Sequence, residues 1–195
     1  MPAMPELILA STSRYRQELL ARLRLPFRCE APDVDETALP GESPAALAER
    51  LALAKARAVA ARHPQAVVIG SDQVADLAGE ALGKPGSHER AAAQLARMSG
   101  QALVFQTAVA VVAPSLAAIE RAEARVQMRS LSAAEIEAYL RADQPYDCAG
   151  SAKVESLGIT LLESVESDDP TALIGLPLIR TCRLLRRAGL TLPPT

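Results

Sequence analysis

The stretch Ala66-Val-Val-Ile-Gly-Ser-Asp-Gln-Val-Ala-Asp-Leu77 decides the fold. Its first half is an apolar run ending in glycine, the pattern of a strand buried on both faces. Asp72 follows at once, and a carboxylate there is costly unless it is hydrogen-bonded, paired or metal-bound. Ser71-Asp72-Gln73 thus sits at the C-terminal end of a buried strand, where ligands gather in open α/β sheets, before Val74 to Leu77 continue extended.

Working toward the N-terminus, Ser43 and Pro44 supply a cap and a first-turn proline for a helix running toward His63-Pro64. Leu47, Leu51, Ala54 and Ala58 share its apolar side, and Lys55 falls near the border of that face. Pro32 to Glu36 reads as a loop with three carboxylates, after an extended piece from Phe27 to Ala31. Before that, Glu6 to Ala10 forms a short buried strand, the turn Ser11-Thr12-Ser13 is rich in hydroxyls, and Leu19, Leu20 and Leu23 mark a helix ending near Pro26.

Toward the C-terminus, the turn from Leu82 to Ser87 leads into a helix from His88 to about Ser99, stopped by Gly100. Ala102 to Ala113 is the longest β-like run, Pro114 and Ser115 lie in a loop, and Ala122 to Arg129 alternate as a further strand. Ser132 and Glu135 form a capping box for a helix to Arg141. A loop from Pro145 to Ser151, a short strand at Ile159 to Leu162, an acidic loop at Asp168-Asp169, and a terminal helix carrying Leu178, Thr181, Cys182 and Leu185 complete the chain. No repeat and no linker long enough to separate domains occurs, so residues 1–195 are expected to form a single mixed α/β domain of six or seven strands, pinched at most into two lobes.

Composition limits the function classes. The formal net charge is -2, which argues against a surface coating a nucleic-acid polymer. Lys55, Lys84 and Lys153 are the only lysines among 21 basic residues, and each lies beside acidic or glycine-containing segments. Cys29, Cys148 and Cys182 form neither a CxxC nor a zinc cluster, which points to reduced thiols in a cytoplasmic protein, with Cys148 a buried or half-buried thiol. No run approaches the roughly 20 apolar residues of a membrane-spanning helix, and the start MPAMPELILA, with Met4 as an alternative initiator, has no secretory pattern.

Three turns carry the polar groups: Ser11, Ser13 and Arg16 in the first, Asp72 and Gln73 in the second, Lys84 in the third. Hydroxyls and backbone N–H groups at a helix start, with Arg and Lys nearby, suit an anion. Asp35, Glu36 and Asp72 supply oxygen ligands for a hard divalent ion and a base for a water, and together these imply phosphoryl chemistry. A Walker A loop, a GxGxxG fingerprint and a serine-hydrolase elbow are absent, and His63 and His88 read as helix-terminal surface residues. The bland alternatives are a cap at Ser11 or Ser13, solvated charges at Arg14, Arg16, Lys55 and Glu36, and a plain turn at Lys84-Pro85; Asp72 is the hardest to dismiss.

Leu9 to Ser13 with Arg16 and Glu18-Leu19-Leu20, then Asp35-Glu36, Lys55, Ser71-Asp72-Gln73, Gly83-Lys84-Pro85, Asp147-Cys148-Ala149-Gly150 and Gly175-Leu176-Pro177-Leu178, resemble the Maf family of nucleoside triphosphate pyrophosphatases over about Leu7 to Gly189. The resemblance implies a Maf/Ham1-like (ITPase-like) fold, an elongated mixed sheet with flanking helices and two lobes around a nucleotide cleft. It implies cleavage of a nucleoside triphosphate between the α and β phosphates with a divalent cation, Mg2+ or Mn2+. By the same comparison Asp72 is the proton acceptor, Glu36 and Asp72 hold the metal, and Lys84 belongs with them to the catalytic set. Ser11, Ser13, Arg16 and Lys55 face the phosphates, and Lys153 falls in a ligand-binding segment. Gln73, the Asp147 to Ser151 segment and Glu155 resemble the branch acting on 7-methyl-GTP, in which an aromatic often stands where this chain has Tyr15 and stacks on the cationic base. Glu155 would accept from the purine N1 and N2 edge. Tyr15 in place of Trp and Arg14 in place of proline depart from the pattern. A dTTP/UTP pyrophosphatase and a non-catalytic nucleotide sensor are the rival readings, and a homodimer is implied by the resemblance alone.

Overall fold

Seven strands form one mixed sheet in the computed structural model, which describes residues 5–194, so the alternative initiator Met4 lies outside it. β1 (Leu7–Leu9) leads to α1 (Arg14–Ala21) and β2 (Arg28–Cys29), followed by α2 (Pro44–Ala60), β3 (Val67–Leu77) and β4 (Glu80–Leu82). Then come α3 (His88–Met98), β5 (Ala102–Ala113), β6 (Leu116–Met128), α4 (Ala133–Asp143), β7 (Leu162–Ser167) and α5 (Leu178–Arg187). The strand order is β2-β1-β3-β5-β6-β7, with β4 paired to β3; β1 runs parallel to β2 and β3, and the other pairs are antiparallel.

The helix starts follow the sequence signals. Ser13, Ser43, Ser87 and Ser132 are N-caps whose side chains accept from backbone N–H groups, and Ser132 with Glu135 forms the expected capping box. The strands differ in three places. Leu116–Arg121 does not alternate, yet it pairs with β5 throughout, so β6 begins six residues before the expected Ala122 and Pro114-Ser115 is a tight hairpin turn. Leu82, expected to open a turn, instead ends a strand Glu80–Leu82 that folds back on β3, with Asp76 Oδ1 accepting from Gly79 N at 2.7 Å and Gly79 taking a positive φ. Leu157–Leu161 winds as a 3-10 turn, displacing the expected strand to Leu162–Ser167.

Apolar residues pack on both faces of the sheet. On one, Leu19 and Leu20 of α1 and Leu184 and Leu185 of α5 cover Leu7, Leu9, Ile69 and Val109; on the other, α2 covers Ile8, Val68 and Ala110. Toward the other end, Leu95 and Met98 of α3 and Tyr139 and Leu140 of α4 pack on Phe105 and Val126. The contact that positions the site is α2 against β3. Ala52 and Ala56 are fully buried, and a Cβ at Gly70 would come within 2.2 Å of the Ala52 carbonyl and 2.6 Å of the Ala56 nitrogen. Glycine at 70 lets the helix lie on the strand closely enough for Lys55 to meet Asp72.

Candidate active site

A cleft of about 750 Å³ opens where the end of β1 and the middle of β3 face the segments after α4; Ser71-Asp72-Gln73, expected at a strand end, lies at the centre of β3 because the strand runs unbroken through Leu77. Its wall includes Ser11, Ser13 and Arg16 from the start of α1, Glu36 from the loop after β2, Lys55 from α2 and Gln73 from β3. Tyr15, Lys84, Asp147, Cys148 and Glu155 line the remaining wall. Nine of the eleven expected site residues thus surround one space; Asp72 lies just behind it, and Lys153 lies beside the wall residue Asp147 without lining the space itself.

Lys55 is the pivot. Its Nζ donates to Asp72 Oδ1 at 2.6 Å and lies 2.8 Å from Glu36 Oε1, so one ammonium bridges two carboxylates. Expected at the border of the apolar face, it is instead 5% exposed, and Asp72 is 7% exposed. Burial raises the Asp72 pKa; the charges of Lys55 and Arg16 and the Lys55 hydrogen bond oppose that, while Glu36 adds to the rise. Burial also works to raise Glu36, but the Lys55 hydrogen bond and the charges of Lys55, Lys84 and Arg16 leave it lowered. Two neighbouring carboxylates are thereby pushed in opposite directions, the pattern that separates a base from a permanently ionised partner. Asp35 is not on the wall: its Oδ1 accepts from Thr37 N at 2.9 Å and shapes the loop that presents Glu36.

The hydroxyl turn is both cap and wall. Ser11 Oγ accepts from Ser13 N at 3.1 Å, Ser13 Oγ caps α1 by accepting from Arg16 N at 3.5 Å, and both residues still face the cleft. Arg16 Nε donates to the Gly175 carbonyl at 2.9 Å, which joins α1 to the turn before α5. Lys84 is exposed on the wall and has no acidic side chain within ion-pair distance among the described residues.

Gln73 lines the cleft, but its Nε2 donates to Thr107 Oγ1 and to the carbonyls of Ala172 and Leu173 at 2.9–3.1 Å. Its amide donors shape the wall. Thr107 shares that task, donating to the Ala172 carbonyl at 2.9 Å. Sequence reading passed over Thr107, although it and Gln106 are the only polar residues in the aliphatic run of β5.

At the other end of the cleft, burial raises the phenol pKa of Tyr15 and the carboxyl pKa of Glu155. Burial, with the Asp147 charge, pushes the Cys148 thiol up to about 12, so it is a protonated wall residue and no nucleophile. Lys153 is the departure: its Nζ donates to the Asp143 carbonyl at 3.2 Å, with the Gln144 carbonyl at 3.5 Å, and so closes the C-terminal end of α4 outside the cleft wall. His88, expected to be a bare surface residue, is held between Tyr146 OH at 2.9 Å and Glu137 Oε2 at 2.7 Å, and His63 meets Glu30 Oε2 at 2.7 Å.

No group of three or more His, Cys, Asp or Glu side chains is placed to hold a metal among the described residues. Asp72 and Glu36 make a two-carboxylate set, which suits Mg2+ bound jointly by one or two carboxylates and substrate phosphates and does not form a protein cage. Likewise, no helix among the described residues is long and apolar enough to cross a membrane.

A mixed α/β sheet with a cleft that sets carboxylates, lysines and helix-start hydroxyls around one space defines the class, a nucleoside triphosphate pyrophosphatase. The chain belongs to the Maf family: the family model described as Maf-like protein matches residues 6–188. A protein of Polaromonas sp. named 7-methyl-GTP pyrophosphatase is 65% identical, over 98% of this chain and 88% of its own length. One of the same name from Albidiferax ferrireducens is 63% identical over 97% and 96%. Among solved structures, the Ham1 protein of Staphylococcus aureus aligns with a TM-score of 0.47 and 16% identity over 63% of this chain and 71% of that one.

Proposed function

We propose that the chain hydrolyses 7-methyl-GTP to 7-methyl-GMP and pyrophosphate, with Asp72 as the base that takes the proton of the attacking water. The observation that carries this reading is the Lys55 bridge between Asp72 and Glu36 at the cleft that also holds Lys84 and the Ser11–Ser13 turn. A triphosphate entering that cleft offers Lys55 anionic partners in place of Asp72. As the ammonium turns toward phosphate, Asp72 loses its strongest contact while still shielded from bulk water, and its raised pKa makes it a better proton acceptor. Glu36 stays ionised and orients the water from the opposite side of Lys55. Lys84, Lys55 and Arg16 offset the charge that develops as pyrophosphate departs, and Ser11 and Ser13 with the N-terminal amides of α1 hold the phosphate chain.

Asp72 and Glu36 would hold Mg2+ or Mn2+ through the oxygens that Lys55 does not engage, together with the triphosphate. Such an ion supplies Lewis acidity toward the phosphate oxygens. The base reading is supported by the names of the relatives and by a wall that places Tyr15 and Glu155 together: an aromatic face attracts the cationic 7-methylguanine ring, and a carboxylate accepts from its N1 and N2 edge. Pyrophosphate release measured on 7-methyl-GTP, GTP, dTTP and UTP with Mg2+ or Mn2+ tests the proposal. Preferential turnover of 7-methyl-GTP is expected; selective turnover of dTTP and UTP overturns the base assignment, and tight binding without pyrophosphate release makes the chain a sensor.

A further inference from the structure

Lys84 is carried by the turn between β4 and α3, and two hydrogen bonds fix that turn around it. Before Lys84, the Gly83 carbonyl accepts from Gln94 Nε2 of α3 at 3.0 Å. After it, Gly86 N donates to the Tyr146 carbonyl at 3.0 Å. Both lead to the segment that forms the other end of the cleft, because Gln94 Oε1 also accepts from Ser151 Oγ at 2.5 Å. One amide therefore joins the Lys84 turn at its nitrogen end and the segment after Cys148 at its oxygen end.

The Ser151 end is not a casual contact. Ser151 is fully buried and takes a positive φ of 56°, an unfavourable backbone for a residue other than glycine, next to Gly150 at φ 71°. A Cβ at Gly150 would press on Ala75 and Phe105 at 3.2 and 3.4 Å, so the segment is seated against the core with little room to shift alone. Its buried hydroxyl has Gln94 as its partner, and His88, at the start of α3, contacts Tyr146 OH of the same segment.

We propose that Gln94 is a positioning residue that couples occupancy of the base end of the cleft to the placement of Lys84 on the phosphate chain. The coupling rests on the base reading given above. A base held between Tyr15 and Glu155 immobilises the Asp147–Glu155 segment; Ser151 then holds Gln94, and Gln94 holds the Gly83 carbonyl and the Lys84 turn. The base accordingly raises turnover as well as affinity, which makes selectivity partly a property of kcat.

The small number of lysines provides a direct readout. In protein labelled with 13C at lysine, with Lys84 and Lys153 assigned from Lys84→Arg and Lys153→Arg, 7-methylguanosine is titrated as a ligand with no phosphate to touch Lys84. In the native chain both the Lys153 signal, beside the base end, and the Lys84 signal are expected to move. In Gln94→Ala the Lys153 signal still moves and the Lys84 response is lost. Gln94→Glu keeps an acceptor for Ser151 and replaces the donor to Gly83, so it is expected to behave as Gln94→Ala does, whereas a merely structural role would leave it near the native response. In turnover, Gln94→Ala lowers kcat for 7-methyl-GTP about tenfold and changes that for inorganic triphosphate less than twofold; Lys84→Ala then costs less in the Gln94→Ala background than in the native one. An unaltered Lys84 response in Gln94→Ala, equal losses on both substrates, or additive effects of the two substitutions overturns the coupling. If no lysine signal of the native chain moves with 7-methylguanosine, the base reading fails and the coupling fails with it.

Discussion

The two ends of the cleft are built differently. The acidic end is carried by the centre of β3 and by α2, clamped together at Gly70; Asp72 and Lys55 are nearly fully buried, and Glu36 reaches Lys55 from the exposed loop after β2. The base end is carried by Tyr15 on α1 and by a segment of turns between α4 and β7, in which Gly150 and Ser151 take positive φ. Rigid elements hold Asp72 and Lys55, which must meet within a few tenths of an ångström, and at the base end a segment of turns faces Tyr15 to choose among ligands. Substitutions at the acidic end should therefore reduce turnover on every nucleoside triphosphate, and those at the base end should change the preference among them.

Asp72→Asn is the sharpest way to break this contrast. It keeps the shape and a hydrogen-bonding oxygen for Lys55 but cannot take a proton at neutral pH, so kcat should fall roughly a hundred- to ten-thousand-fold. The dissociation constants of 7-methyl-GTP and of dTTP should each move only a few-fold, as read by calorimetry beside steady-state rates. Equal kcat for native protein and variant under matched metal would falsify the assignment of Asp72 as the base.

Gly70→Ala attacks the scaffold of the same end. The inserted methyl meets backbone atoms of α2, which cannot swing aside as a side chain would, so the cost should lie near the upper end of overpacking, about 3 kcal/mol. For a chain of this size that corresponds to a fall in melting temperature of roughly 6–12 °C. The surviving folded fraction should have lost activity on all substrates, because α2 carries Lys55. A melting temperature unchanged within error would mean that helix and strand lie further apart than the structure has them.

The acidic limb of the pH profile reports Asp72 within this frame. The group acts when ionised, and burial raises its pKa, so kcat/KM should decline, as pH falls, at a pH above the usual aspartate value of 3.8. The Glu36 charge contributes to that rise, hence Glu36→Gln should move the limb to lower pH besides lowering the rate. A limb that stays in place or moves upward would show that the two carboxylates are not coupled through Lys55.

The same contrast explains what the sequence disclosed. The acidic end was legible in that a carboxylate directly after Val-Val-Ile-Gly demands a partner; that Lys55 of the preceding helix supplies it was not. Its depth was not legible, since the burial of Lys55 depends on the approach of α2 to Gly70. The base end was legible only as a motif. Lys153 lies within two residues of Glu155 in sequence, but the open carbonyls at the end of α4 hold its ammonium next to Asp147 instead of on the wall, a tertiary effect with no local signal. Nor does spacing reveal that Gln73 and Thr107 serve the carbonyls of Ala172 and Leu173. In the sheet, the early start of β6 is imposed by pairing with β5, which overrides the weak alternation of Leu116–Arg121.

Tyr15 gives the smallest and most selective effects. Replacing it with alanine removes an aromatic face whose attraction for a cation is about 0.5–2 kcal/mol, so KM for 7-methyl-GTP should rise roughly 2- to 30-fold, with kcat for dTTP unaffected. Tyr15→Trp tests the opposite direction. An indole offers a larger and more strongly cation-attracting face, and Tyr15 is only half buried, so the bulkier ring has an open cleft on one side. The preference for 7-methyl-GTP over GTP should increase about two- to fivefold, and because both bases share the purine edge, the change isolates the positive charge of the methylated ring from the contribution of Glu155. An equal gain on GTP would mean that Tyr15 supplies stacking area alone, and selectivity would then have to reside in the Asp147–Glu155 segment.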